Sequence, residues 1–180
     1  TGLLRALLEK SAGKRLPGKV ALGLLFDPAT ATLAHEAGLG ASITTSIGTA
    51  VPTFTGQLSD PPVQGIFKVK ALSDGKVTLK GPMMTGSRIG LGPCALLEIE
   101  GVLVAVASGK KQLLDRELFR MLGVHPETMK VLVVKSSNHF RADFTPIASH
   151  ILVAKAEGPM AADPADLPWT KLAKTTRTSP

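Results

Sequence analysis

Residues 131–144 read VLVVKSSNHFRADF, and this stretch decides the fold that the sequence predicts. Its first four residues, 131–134, are apolar and mostly β-branched. A short continuous apolar run of this kind is typical of a strand that is buried on both faces. We therefore expect residues 131–134 to form an interior strand of a parallel sheet.

The polar residues that follow this strand predict the start of a helix. Ser136, Ser137 and Asn138 are residue types that cap helices, because a short side-chain oxygen can accept a hydrogen bond from a first-turn N–H group. Phe140 and Phe144 are four residues apart and would lie on one face of that helix. We expect both rings to pack inward.

The junction between this strand and this helix is the candidate binding site. In open α/β sheets, ligands bind at the carboxyl ends of strands, where helix N-termini present free N–H groups. The candidate binders of a carboxylate or another anion are Lys135, Ser136, Ser137, His139 and Arg141. Two alternatives stay open: the serines only cap the helix, and the cations are only solvated surface charges.

The rest of the chain predicts a β-α-β unit, two antiparallel hairpins and then α-β-α-β. The further strands are expected at residues 20–26, 41–48, 67–71, 77–79, 95–100, 102–107 and 151–153. Asp74-Gly75 would turn the first hairpin, so that 77–79 returns antiparallel to 67–71. The predicted fold class is α/β, with a mixed sheet that has a parallel centre and antiparallel hairpins and is flanked by helices.

Helix signals complete this prediction. Asp27-Pro28 would start a helix that ends at Gly38, and Asp115 would cap a short helix closed by Gly123. A first helix should bury a leucine stripe against the core. The stripe consists of Leu3, Leu4, Leu7 and Leu8.

Length and composition favour one domain. A chain of 180 residues with 44% apolar content can bury a core of its own. We expect a single α/β domain over residues 1–157, followed by a Pro-rich basic tail over 158–180 that packs on the surface or on a partner through Trp169. Because the sequence opens on Thr1-Gly2, we interpret it as a piece of something longer.

Charge and cysteine content narrow the possible partners. The net charge is +7, but the basic residues are scattered and lack interleaved aromatics, so we expect no nucleic acid. A lone Cys94 excludes an intrachain disulfide and favours a cytoplasmic location. No apolar run approaches the ~20 residues that span a bilayer, so we expect no membrane partner.

No pattern for catalysis is found. His35-Glu36 lacks a second His four residues after the first, where Leu39 stands, and the four histidines and one cysteine are widely spaced. A Gly-x-Ser-x-Gly nucleophile elbow is also absent. We expect neither a catalytic residue nor a metal ligand in this chain.

Five ordered blocks of sequence resemble the C-terminal domain of the microcystinase C (MlrC) family. These blocks are residues 1–8, 26–28, 71–75, 81–86, and 133–137 with 139–142. The resemblance covers essentially the whole chain. It implies that zinc ligands and peptidase chemistry belong to a larger N-terminal domain, which cleaves linearised microcystin and related small peptides.

The resemblance also implies a role for this chain. It would be an accessory C-terminal domain that shapes the substrate cleft without holding the metal. Its partners would be the N-terminal metallopeptidase domain and a small peptide substrate, and a homo-oligomer is left open. The alternative is a non-catalytic ligand-binding or protein-interaction module.

Overall fold

A six-stranded mixed sheet forms the centre of the computed structural model, which describes residues 1–156, 158, 160–161 and 163–178. The strands are β1 (Val20–Phe26), β2 (Ser42–Ile47), β3 (Val63–Ser73), β4 (Lys76–Thr78), β5 (Arg88–Gly90), β6 (Cys94–Ile99), β7 (Val102–Ala107) and β8 (Val131–Val134). Their order in the large sheet is β2-β3-β6-β7-β1-β8, while β4 and β5 form a separate two-stranded sheet. The pairs β1·β7 and β1·β8 are parallel and the other pairs are antiparallel.

Helices flank this sheet on both faces. They are α1 (Gly2–Glu9), α2 (Ala12–Arg15), α3 (Pro28–Ala37), α4 (Glu117–Arg120) and α5 (Arg141–Phe144), with short 3₁₀ helices at Pro126–Thr128, Thr145–Ile147 and Pro164–Asp166. The predicted α/β class with a mixed, helix-flanked sheet is therefore confirmed. No helix in the described part of the chain has the length and apolar character needed to cross a bilayer.

The β1–α3 unit forms because strong local signals agree. The Asp27 carboxylate accepts a hydrogen bond of 3.0 Å from the Thr30 N–H group, and Pro28 occupies the first helical position. Gly38 ends the helix with φ +85°. The predicted strand, cap and helix end are all confirmed.

The β6–β7 hairpin is also as predicted. Its two turn residues, Glu100 and Gly101, have φ values of +47° and +80°. Positive φ at both central positions gives a turn whose twist matches that of the flanking strands.

The core consists of two apolar clusters on opposite faces of the sheet. On one face, α1 and α3 pack against the sheet, and Leu4 is fully buried. The other three leucines of the predicted stripe are partly buried against the same cluster. On the second face, α4 and α5 pack through Phe119 and Phe144, whose ring centroids are 6.4 Å apart.

The prediction that residues 131–134 form an interior strand is wrong. β8 is parallel to β1, but it is the last strand of the sheet and all four of its residues are only half-buried. Val131 and Val133 pack against one core cluster, whereas Leu132 and Val134 pack against the other. Because its side chains pack against both core clusters, this edge strand carries the sequence of an interior one.

The helix predicted after β8 is shorter and later than expected. The Ser136 hydroxyl accepts a 3.3 Å hydrogen bond from the Phe140 N–H group, but α5 is a single turn that begins at Arg141. Pro146 then falls in a 3₁₀ helix, because its ring cannot continue an α-helix. Phe140 and Phe144 are buried, as predicted.

The pairing predicted for the first hairpin is wrong. Asp74-Gly75 does turn the chain, and Gly75 has φ +73°. However, β4 pairs with β5 rather than with β3, whose C-terminal half pairs with β6.

The C-terminal segment also departs from prediction. Residues 151–153 form no strand, and Leu152 and Val153 are 92% and 76% exposed. Trp169 is half exposed, and its indole N–H group donates to the Pro164 carbonyl of the same segment. The predicted boundary at 157/158 falls on Glu157, which lies outside the described residues, so that the division of the chain stays a prediction.

The thiol of Cys94 is deeply buried and should therefore be unreactive in the folded chain. Cys94 has no exposed surface, and burial raises the pKa of its thiol to about 11. Because the thiolate is the nucleophile, we expect iodoacetamide to leave the folded chain unmodified at about pH 8 and to alkylate it in urea. Mass spectrometry measures both rates, and equal rates would contradict this packing of β6.

Candidate site at the carboxyl edge of the parallel strands

The carboxyl ends of β1 and β7 form a topological switch point. The chain leaves β1 through α3, which packs on one face of the sheet, and leaves β7 towards α4, which packs on the other face. Where the connections that leave two neighbouring parallel strands pass to opposite faces of the sheet, a crevice opens outside the carboxyl ends of the strands. Ligands of open α/β sheets bind in this crevice. The candidate site follows from this topology.

A lysine and an aromatic ring mark the switch point itself. The Lys110 ammonium lies 4.7 Å from the centre of the Phe26 ring at the end of β1, a cation–π distance. Asp27 stands beside Phe26, but its carboxylate oxygens accept hydrogen bonds from the backbone N–H groups of Thr30 and Gly48. The aspartate therefore has a structural role in joining α3 to the end of β2.

Two of the predicted site residues meet at a third residue that the sequence did not indicate. The side-chain oxygen of Gln112 lies 3.1 Å from Ser136 Oγ and 3.1 Å from His139 Nδ1. A backbone hydrogen bond of 3.1 Å from the Leu113 N–H group to the Lys135 carbonyl holds the two loops together. The loop after β7 and the loop after β8 thus form one exposed polar surface, which we call the carboxyl edge.

The other predicted residues take more peripheral positions. Lys135 is exposed, and its backbone N–H group donates to the Gly23 carbonyl at 2.7 Å, which ends the β1·β8 ladder. Ser137 is exposed and joins no hydrogen bond among the described residues. The Arg141 guanidinium lies 5.4 Å from the centre of the Phe140 ring. The structure thus links Ser136 with His139 and leaves the other three at the rim.

The carboxyl edge is positively charged. Its cations are Lys110, Lys111, Lys135 and Arg141. Within the described ranges, none of these four forms a salt bridge, whereas Lys70 and Lys80 elsewhere are paired with Glu98 and Glu117. Uncompensated cations beside strand ends and hydrogen-bonding groups suit an anionic ligand group such as a carboxylate.

Two buried aspartates hold this edge in place. The Asp143 carboxylate accepts hydrogen bonds from Arg116 through its backbone N–H group at 2.6 Å and through Nε at 3.0 Å. Asp115 accepts from the N–H groups of Lys80, Gly81 and Glu117 at 2.7–2.9 Å. Because Asp143 belongs to α5, its pairing with Arg116 fixes the helix that follows His139.

Ion pairs near these two aspartates connect them with the protein surface. Glu117 pairs with Arg120 at 2.7 Å and with Lys80 at 3.3 Å. Although burial acts to raise the pKa of the Glu117 carboxyl, hydrogen bonds from Arg120 and Lys80 lower it below its ordinary value. Glu117 is therefore ionised at neutral pH.

The donor set of the described residues does not fit a metal site. In residues 1–156, 158, 160–161 and 163–178, no three His, Cys, Asp or Glu side chains come together in a way that could hold a metal ion. His35 instead lies with Nε2 3.0 Å from the Cys94 carbonyl. A shallow cavity of about 350 Å³ lies by α1 and α2, against Lys10, Ala12, Arg15 and Leu16, and contains none of the predicted site residues.

Sequence reasoning missed Gln112, Lys110 and Asp143. Gln112 precedes Ser136 by 24 residues, and a neutral amide in a polar loop carries no signal of its own. Asp143 carries no local signal either, because its partner Arg116 lies 27 positions away in the sequence.

Comparison with known proteins gives consistent matches. The family model described as "MlrC C-terminus" matches residues 1–171. Over 123 residues the chain is 32% identical to "Microcystinase C" of Sphingomonas sp, which covers 68% of this chain and 23% of that protein. A crystal structure described as a "Putative metallopeptidase" from Mesorhizobium sp. BNC1 has a TM-score of 0.76 and 27% identity, covering 94% of this chain and 32% of that chain. The chain thus spans less than two thirds of the length of either relative.

Proposed function

Because this chain belongs to the MlrC C-terminus family, we propose that it is the accessory C-terminal domain of a metallopeptidase that acts on small or linearised peptides. In this proposal its carboxyl edge forms part of the wall of the substrate cleft. The observation that carries the proposal is the group of unpaired cations around the Gln112, Ser136 and His139 cluster, at the place where an α/β sheet binds ligands.

We propose that metal binding and substrate positioning belong to different domains. Since no group of His, Cys, Asp and Glu among the described residues fits a metal, we propose that a catalytic zinc is held by an N-terminal metallopeptidase domain of the whole protein. This chain would contribute positioning of the substrate. We also propose a cytoplasmic location and a microcystin-type peptide as one substrate, in line with the name of the Sphingomonas relative.

The cations of the carboxyl edge would bind the C-terminal carboxylate of a peptide substrate. A peptide substrate ends in a carboxylate, and guanidinium and ammonium groups bind carboxylates through charge-assisted hydrogen bonds. Lys135 and Arg141 lie at the rim and are exposed, so that both are accessible to such a group. Binding the terminal carboxylate would fix the peptide relative to the metal.

We expect Arg141→Ala, made in the full-length protein, to lower kcat/KM for a linear peptide by about tenfold or more, and His139→Ala by about threefold to tenfold. The reason is that a hydrogen bond to a charged group contributes about 1.5–3 kcal/mol, whereas one between neutral groups contributes about 0.5–1.5 kcal/mol. Zinc content, measured by metal analysis, should be unchanged. Steady-state kinetics with peptides of free and amidated C-terminus measures the effect, and the amidated peptide should be insensitive to Arg141→Ala.

The matched controls are His150→Ala and Arg88→Ala. Both wild-type side chains are exposed and lie outside the carboxyl edge, on the segment after α5 and on β5. Their kinetics should equal those of the unmodified protein. If His139→Ala and Arg141→Ala behaved like these controls, the alternative of a protein-interaction module would replace the proposed role.

A further inference from the structure

The Gln112 carboxamide oxygen lies within hydrogen-bond distance of one ring nitrogen of His139. We infer that Gln112 is a positioning residue that, in the neutral form of His139, keeps the proton on Nδ1, so that Nε2 is a hydrogen-bond acceptor for an N–H group of the peptide. The use of this acceptor rests on the proposed function, whereas the positioning rests only on the geometry.

The hydrogen bonds within the cluster give a consistent direction of donation. Ser136 Oγ accepts from the Phe140 N–H group, so its own hydroxyl proton is available to Gln112 Oε1 at 3.1 Å. A carbonyl oxygen accepts two hydrogen bonds but donates none. The second bond to the same oxygen, at 3.1 Å from His139 Nδ1, must then come from an Nδ1–H group.

The other ring nitrogen is left for a ligand. His139 is exposed, and its Nε2 makes no hydrogen bond to any residue that the structure describes. With the proton on Nδ1, a neutral ring presents a lone pair at Nε2. Backbone N–H groups are the most abundant donors of a peptide, and one of them fits this acceptor.

Together with the rim cations, this acceptor defines the ligand chemistry. Lys135 and Arg141 suit a carboxylate, and His139 Nε2 suits a neutral N–H donor. A C-terminal amino-acid residue of a peptide carries both groups, separated by a single Cα atom. The inference therefore narrows the substrate class to linear peptides with a free C-terminus.

The tautomer of His139 is measurable by NMR in the 180-residue chain. Long-range ¹H–¹⁵N correlation at about pH 8.5, above the ordinary imidazole range, distinguishes a protonated ring nitrogen from an unprotonated one. The His139 signal is identified by its loss in His139→Ala. We expect protonated Nδ1 in the unmodified chain, a shift to protonated Nε2 in Gln112→Leu, and retention of protonated Nδ1 in Gln112→Glu, whose carboxylate accepts the same bonds.

The outcomes separate this inference from the proposed function. Protonated Nε2 in the unmodified chain, or an unchanged His139 signal in Gln112→Leu, would overturn the positioning role. The His150 signal should be the same in every variant. In the full-length protein, Gln112→Leu should lower kcat/KM by no more than His139→Ala does, because Gln112 acts only through His139. If NMR shows the expected tautomer but His139→Ala leaves the kinetics unchanged, the binding of a peptide N–H group at His139 is overturned and the positioning by Gln112 stands. The proposed function is overturned only if Arg141→Ala is also without effect.

Discussion

Asp143→Ala is expected to lower the free energy of unfolding by about 3 kcal/mol or more. The Asp143 side chain is only 6% exposed and accepts hydrogen bonds from the backbone and the guanidinium of Arg116. Removing it leaves the backbone N–H group and the Nε–H group of Arg116 without their acceptor, while Arg116 Nη1 keeps its pair with Glu127. Such groups cost more when orphaned than the intact pair contributes. Urea denaturation followed by circular dichroism measures the change.

The matched control removes an exposed carboxylate from α3. Glu36→Ala should change the free energy of unfolding by less than about 0.5 kcal/mol, as surface substitutions usually do. Asp143→Asn should also be destabilising, because an amide nitrogen would face the donors of Arg116. A loss for Asp143→Ala no larger than that for Glu36→Ala would mean that Arg116 does not anchor α5.

The parts of the fold that could be predicted are those fixed by neighbouring residues. The cap at Asp27 and the turn at Glu100-Gly101 lie within a few residues of the elements they join. The position of β8 in the sheet and the partner of β4 depend instead on competition between distant strands. The apolar run of β8 indicates that both faces of this strand pack against the core. It does not indicate whether a further strand pairs with the outer edge of β8.

The same distinction applies to the candidate site. Ser136 and His139 could be predicted because they follow a strand, and strand ends are where α/β sheets bind ligands. The residue that joins them, Gln112, approaches only because β7 and β8 both flank β1 in parallel. Asp143 likewise meets Arg116 across 27 positions of sequence. The residues that position the site were therefore visible only in three dimensions.

Gly13→Ala is expected to lower the free energy of unfolding by about 3 kcal/mol, the upper range for overpacking. Gly13 lies in α2 where the helix meets the β6–β7 turn. A Cβ atom there would lie 2.3 Å from the Glu100 carbonyl oxygen and 2.4 Å from the Gly101 carbonyl carbon. These atoms are backbone in a turn whose positive φ values leave little freedom to move.

The control is Gly90→Ala on β5, where an added Cβ atom meets nothing within 4 Å. That variant should change the free energy of unfolding by less than about 0.5 kcal/mol, because neither a clash nor a positive φ opposes it. Urea denaturation compares the two, and amide hydrogen exchange at Leu8, inside α1, shows whether the loss includes that helix. If α1 and α2 are integral to the core, Gly13→Ala should shift the single unfolding transition and speed exchange at Leu8. An unfolding midpoint equal to that of Gly90→Ala would show that α2 does not pack on this turn.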